Sequence, residues 1–215
     1  LTARGDVPIH YTLDGSEPTA ASPRYTGPVE IGKSARFRAT ALREGGENAS
    51  YSREFAFSKS TGRPAVLNTK PNDSYTFEGA SLLVDGYHSR PVFTSGAWLG
   101  YLDEPLDVTI DMGGEQSYRS VELETLAEKG DWIFPPSSVT VWVSDNGTDF
   151  TEVASVAVPE AKAGDADGIG RYRMQFPETS ARYLKVVAQN AAAIPAWHPG
   201  AGSKGFLFVD EVVVE

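Results

Sequence analysis

The sequence predicts an all-β protein divided into a small and a larger β-sandwich. Two observations carry this: apolar residues recur in short runs of period two, and turn residues interrupt them roughly every ten positions. Helical periodicity is absent from the first unit, and the runs beyond it restart the strand-rich pattern. At 215 residues the chain is long enough for two unequal domains, each with its own core.

Residues 1–58 read as the small unit. Ile9, Tyr11 and Leu13 alternate with His10 and Thr12, and Asp14-Gly15 supplies a turn. Pro18, Pro23 and Pro28 confine the next stretch to loops or edge strands, because proline cannot donate to a ladder. Ala35, Phe37, Ala39 and Ala41 then alternate with Ser34, Arg36, Arg38 and Thr40, predicting a half-buried strand whose polar side chains face water. Gly45-Gly46 marks a turn, and Tyr51 to Phe57 predicts the closing strand. Residues 59–64 are short and polar and are expected to be a linker.

The larger unit is expected over residues 65–215. Its strands are predicted at Asp107–Met112, Ser117–Leu126, Ser138–Ser144, Arg182–Gln189 and Phe206–Glu215. Val139, Val141 and Val143 should face the core, with Thr140 and Trp142 opposite. Asn146-Gly147 favours a tight hairpin, after which Phe150 and Val153 resume the apolar pattern. Glu160 to Gly170 is polar and glycine-rich, as expected of a loop. The long connections 84–106 and 189–205 should gather at one end of the sandwich, and loops of that length are uncommon without a function.

Composition narrows the chemistry. With 29 acidic against 19 basic residues the net charge is -10, which repels a phosphate backbone, so nucleic acid is not an expected partner. No apolar run approaches the roughly 20 residues of a membrane-spanning helix. Cysteine is absent, which excludes disulfides, thiolate metal sites and thiol catalysis. No nucleophile elbow, phosphate loop or His-Glu-x-x-His pattern occurs, so the chain is expected not to be an enzyme.

Two runs of residues carry resemblances. Ile9-His10-Tyr11-Thr12-Leu13-Asp14-Gly15-Ser16-Glu17-Pro18-Thr19, then Ser22-Pro23-Arg24-Tyr25-Thr26-Gly27-Pro28 and Phe37-Arg38-Ala39-Thr40-Ala41, resemble the small immunoglobulin-like sandwich that follows the catalytic barrel of chitobiases and β-hexosaminidases, with its first strand cut short. Leu83-Val84-Asp85-Gly86, Trp98, Asp107 to Gly113, Ser144 to Phe150, Arg182 to Val186 and Phe208 to Val214 together resemble discoidin or coagulation-factor type C domains, which are jelly-roll sandwiches of the galactose-binding-domain-like kind. Such a pair resembles the tail of Bacteroides-type family 20 glycoside hydrolases. That resemblance implies an exported bacterial parent, secreted, periplasmic or on the outer surface, with the catalytic domain of the same chain as one partner and a glycan or terminal sugar as the other.

Sugar recognition needs flat aromatic faces and directional polar groups. The candidates are Trp197 and His198, pinned between Pro195 and Pro199; Trp132 and Phe134, in a loop ended by Pro135-Pro136; Trp98, which in the resembling fold is commonly structural; and Tyr87, His88 and Arg90 after the Asp85-Gly86 turn. Arg90 suits a multiply hydroxylated or acidic ligand, or pairs with a carboxylate. The resemblance also brings Asp85 and Glu211 together around a structural calcium ion, with backbone oxygens of Gly86, Tyr87, Arg90 and Ser95 as further donors. The alternative role for both units is structural, as spacers that orient the catalytic domain.

Overall fold

The computed structural model describes residues 1–3, 7–43 and 48–215. It is all-β, with antiparallel pairing throughout the named strands, and it divides into Leu1–Phe57 and Ser58–Glu215. The turn expected at Gly45-Gly46 lies outside the described residues.

In the first unit β1 (Ile9–Thr12), β2 (Ala35–Ala41) and β3 (Ala49–Phe55) form a three-stranded sheet in that order. Alternation explains its packing: Phe37, Ala39 and Ala41 are buried, and Phe37 lies between the rings of Tyr11 (5.7 Å) and Tyr51 (6.3 Å). Thr40, expected on the wet face with Arg36 and Arg38, is buried instead; its hydroxyl donates to Glu17 Oε1 at 3.2 Å, which removes the cost of hiding it.

The segment expected to be a linker is folded onto the second unit. Lys59 N–H donates to Val214 O at 3.0 Å, the Ser60 hydroxyl to Val212 O at 2.5 Å, and Gly62 N–H to Val84 O at 2.7 Å.

The second unit contains β4 (Ala65–Leu67), β5 (Leu99–Tyr101), β6 (Leu106–Ala127), β7 (Ser138–Ser144), β8 (Thr151–Ala157), β9 (Gly168–Gln189) and β10 (Leu207–Val214). The pairing order is β5-β10-β6-β9-β7-β8, with β4 on β6. β6 and β9 each have 22 residues, and their register breaks between Asp111 and Gln116 and between Tyr118 and Ser120. The breaks leave two long halves, with the short run Gln116–Tyr118 against Thr179–Ala181 between them. Leu106–Asp111 runs with Tyr183–Ala188, and Ser120–Ala127 with Gly168–Gln175. Both halves feed one core, in which Val108, Ile110, Val141 and Val186 join Val121, Leu123, Val209 and Val212. The result is a jelly-roll sandwich whose two layers share two bent strands.

The close-packed edge of this core shows at Gly100, paired with Phe208. A Cβ there would lie 2.8 Å from Tyr75 Cβ and 2.9 Å from Phe208 Cζ. Gly100→Ala is therefore expected to destabilise the second unit by about 1–3 kcal/mol, the usual cost of overpacking, read as a lower urea midpoint.

Candidate ligand-binding loops

Because the long strands bend back, the start of β6 and its end lie at the same end of the sandwich, and the loops 128–137, 158–167 and 190–206 gather there. Their backbones are cross-bonded: Phe134 N–H to Phe206 O (2.9 Å), Phe206 N–H to Trp132 O (2.8 Å) and Val158 N–H to Ser137 O (2.9 Å). Of the two long connections expected together at one end, 190–206 is here, whereas Gly86 and Ser89 in the 84–106 connection bond to Glu211 and Asp210 within β10, and β5 and two short 3-10 turns, Gly79–Val84 and Phe93–Ser95, occupy or border the rest.

Two tryptophans stand out from these loops, Trp132 at 42% and Trp197 at 39% exposure. Trp132 closes the 3-10 turn Lys129–Asp131 in the left-handed region at φ 64°, its N–H on Lys129 O at 3.0 Å. That conformation is uncommon for a large residue. It is held by close packing of the indole on Gly200, where a Cβ would come within 2.8 Å of Trp132 Cζ2. Trp197 is tethered by its indole N–H, which donates to Ala161 O at 3.0 Å.

His198 lies beneath both and is buried. Its ring meets Trp132, Trp197 and Phe134 nearly edge-on, at 6.1, 5.6 and 5.5 Å. Nδ1 accepts from Gly200 N–H at 3.0 Å, so Nε2 carries the proton and donates to Lys129 O at 2.9 Å. Both ring nitrogens are used, which corrects the expectation that His198 donates to a ligand. Phe134 is buried at 1% exposure and Trp98 at 0%, so neither offers a ligand a face. Trp98 packs with Leu126, Ile133 and Phe208, and its Nε1–H donates to Arg90 O at 3.0 Å. Beside Trp197's anchor, Phe134, Pro136, Val158, Glu160, Ala161 and Ala193 help line a cleft of about 350 Å³.

The remaining sequence candidates assemble around buried carboxylates instead. His88 Nδ1 bonds to Glu124 Oε2, and Arg171 donates to Glu124 Oε1 at 3.0 Å. The hydrogen bond to Glu124 pushes the His88 ring toward its protonated form. Arg90 is exposed, and its carbonyl already accepts from Trp98 Nε1–H and Val92 N–H. Asp85 Oδ1 caps Tyr87 N–H at 2.7 Å. Gly86 N–H donates to Glu211 Oε1 at 3.2 Å and Ser89 N–H to Asp210 Oδ2 at 2.7 Å.

Asp210 and Glu211 are both buried although strictly alternating neighbours would face opposite ways. The register of β10 shifts between Val209 and Val212, and this bulge turns both inward. Burial, reinforced by neighbouring acids that include Asp85, pushes the Asp210 carboxyl up to about 8 and that of Glu211 up to about 10. Glu211 Oε2 has no hydrogen-bond partner.

Sequence reasoning passed over Glu124, Lys129, Arg171 and Asp210. The available signal was the pair Asp210-Glu211 inside an otherwise apolar strand, which alternation cannot place wholly on the wet face.

The geometry defines a class: a β-sandwich module that presents a loop-built surface at one end. The profile described as F5/8 type C domain matches residues 68–204, and the chain belongs to that family. Residues 1–55 match a second profile, described as Fn3 associated. Among solved structures, chitosan-binding module 1 of a chitosanase/glucanase from Paenibacillus sp. IK-5 is similar at 16% identity, over 74% of this chain and 98% of that one, with a TM-score of 0.46. A fucose binding module of Streptococcus pneumoniae is 22% identical over 74% of this chain and 94% of its own, with a TM-score of 0.45. A Clostridium perfringens module, described in complex with GalNAc-β-1,3-galactose, is 16% identical over 70% and 93%, with a TM-score of 0.46. No curated protein matches the chain. No helix among the described residues is long and apolar enough to cross a membrane.

Proposed function

We propose that the chain is a non-catalytic accessory region of an exported glycoside hydrolase and that its second unit binds a glycan through the loops carrying Trp132 and Trp197. The carrying observation is the pair of exposed indoles held on anchored loops at one end of the sandwich. A pyranose has an apolar face that stacks on such rings, and an indole already held in place loses little freedom on binding. The adjoining cleft includes Glu160 in its lining, a polar partner for hydroxyl groups. Single-site sugar binding is weak, and its value lies in raising the effective concentration of the parent enzyme at its substrate.

The first unit is read as a spacer. Its turn acids Asp14 and Glu17 are engaged in the fold: Asp14 Oδ1 accepts from Ser16 N–H (3.0 Å) and Oγ–H (2.6 Å), and Glu17 pairs with Arg38. The Tyr-Thr-Leu-Asp-Gly and Glu-Pro-Thr runs support a family 20 β-N-acetylhexosaminidase parent, whose catalytic domain is then the partner in the same chain.

The test is calorimetric titration of the intact chain with galactose-type and N-acetylhexosamine oligosaccharides. Binding in the micromolar to millimolar range is expected, weakened about tenfold by Trp197→Ala and by Trp132→Ala, as loss of one stacking face implies. Absence of binding at millimolar sugar would overturn the reading.

The calcium expectation is also carried forward as a proposal. Among the described residues no group of three or more His, Asp or Glu side chains is placed to hold a metal, so any site depends on backbone oxygens as well. The donor chemistry nevertheless fits a hard cation: an orphaned, buried Glu211 oxygen lies among neighbouring acids that include Asp85 and Asp210. Asp85 and Glu211 would hold the ion, with the Gly86–Tyr87 backbone; the Arg90 carbonyl, already accepting two bonds, is not a donor. The ion would neutralise the buried acids and brace the Asp85–Ser89 turn.

A further inference from the structure

We infer that Lys129 and His198 are positioning residues of the glycan site, forming one clamp that fixes Trp132 and Trp197 from below. The inference rests on the reading that these two indoles carry the sugar. Lysine is rarely buried unless paired, and an acidic surface offers it partners everywhere. Here Lys129 is buried in a loop, its side chain 9% exposed, and its bonds reach three separate segments.

Its ammonium pairs with Asp167 and donates to Asp165 O at 2.9 Å, and its backbone N–H donates to Asp167 Oδ1 at 3.1 Å. These fasten the 158–167 loop. Its carbonyl accepts from Trp132 N–H at 3.0 Å, which holds the left-handed turn, and from His198 Nε2–H at 2.9 Å, which holds the 190–206 loop. Trp197 closes the circuit, because its indole N–H returns to Ala161 on the loop that Lys129 fastens.

None of these polar bonds belongs to the hydrophobic core, which lies around Leu123, Val141 and Val209. Opening the clamp should therefore free the tryptophans while leaving the sandwich folded. Freed side chains must be ordered again at each binding event, so affinity falls although no ligand contact has been removed.

The experiment uses Lys129→Met, which keeps the stem and loses the charge, with Lys129→Arg as the conservative rescue and His198→Asn, whose side-chain oxygen can still accept from Gly200 N–H. The intact chain carries fluorotryptophan, so that Trp98, Trp132, Trp142 and Trp197 give separate fluorine resonances. Lys129→Met keeps the carbonyl that holds Trp132 and His198 and removes the ammonium's bonds to Asp165 O and Asp167, so the resonance of Trp197, tied to Ala161 on that loop, should shift or broaden while those of Trp98 and Trp142 stay. Affinity for whichever oligosaccharide the wild type binds should fall about tenfold, with the urea midpoint nearly unchanged.

Lys129→Arg should recover part of both signals, whereas His198→Asn, which keeps the bond from Gly200 N–H but loses the ring beneath both indoles and its bond to Lys129 O, should shift or broaden the Trp132 and Trp197 resonances. An unmoved Trp197 resonance in Lys129→Met, or unmoved Trp132 and Trp197 resonances in His198→Asn, overturn the clamp. Moved resonances with unchanged affinity overturn its role in binding. If the wild type binds no sugar, the glycan reading fails, and the fluorine spectra alone decide whether the clamp exists.

Discussion

Trp98→Ala is expected to destabilise the second unit by about 3–5 kcal/mol, the range for removing a fully buried indole. Trp98 has 0% exposure and is enclosed by Leu126, Ile133 and Phe208, so its loss opens a cavity that neighbouring strands cannot collapse to fill. The lost hydrogen bond adds little, because Arg90 O keeps its bond from Val92 N–H at 2.7 Å. The measurement is the urea midpoint of the second unit's transition, compared with Trp197→Ala, which removes a side chain 39% exposed and should move that midpoint far less. A Trp98→Ala variant with normal stability and lost sugar binding would reverse the assignment of the two tryptophans.

Calcium is expected to raise the stability of the second unit by about 2.7 kcal/mol at a hundredfold excess over its dissociation constant, by mass action on the folded state alone. The gain should disappear in Glu211→Gln, which removes the charge at nearly constant shape. Without metal, burial beside other acids holds Glu211 protonated at neutral pH, its carboxyl raised to about 10. Glutamine mimics that neutral form, so in chelator the variant should be at least as stable as the wild type. Identical thermal midpoints for the wild type in calcium and in chelator would remove the ion from the account.

Strands with strict alternation were legible in the sequence: Val139, Val141 and Val143 face the core as their spacing requires, and so do Phe37, Ala39 and Ala41. The bent strands were not. Gly113-Gly114 interrupts the alternation of β6, which therefore reads as two strands; of β9 only Arg182–Gln189 was legible, and its first half, from Gly168 to the interruption at Pro177, was missed. Pro177 sits in the register break between Gln175 and Thr179, where a missing N–H costs no ladder bond. β5 has three residues, too few to show a period. Asn146-Gly147 suggested a tight hairpin, but residues 145–150 form a longer loop in which Asn146 Oδ1 accepts from both Thr148 and Asp149 N–H.

The candidate site was legible by residue type and not by exposure. Sequence named Trp98, Trp132, Phe134 and Trp197 as candidates, and only the resemblance set Trp98 apart as structural, because an aromatic between prolines or glycines has no period to say which way it faces. Only the cross-bonded loop end separates the outward pair from the buried pair. His198 was recognised as a polar aromatic, yet its partners come from Lys129 and Gly200, and the first of these contacts is 69 residues away in sequence.

The place of β10 between β5 and β6 has a kinetic meaning. The last strand of the second unit is not at the rim but inside the sheet, bonded on one side to Leu99–Tyr101 and on the other to Val121–Leu126. Until Leu207–Val214 has left the ribosome, both of those neighbours present open edges and half a core. The unit is therefore built from contacts of long sequence separation, which places it among slow folders and makes its nascent form one that must be kept from pairing with other chains.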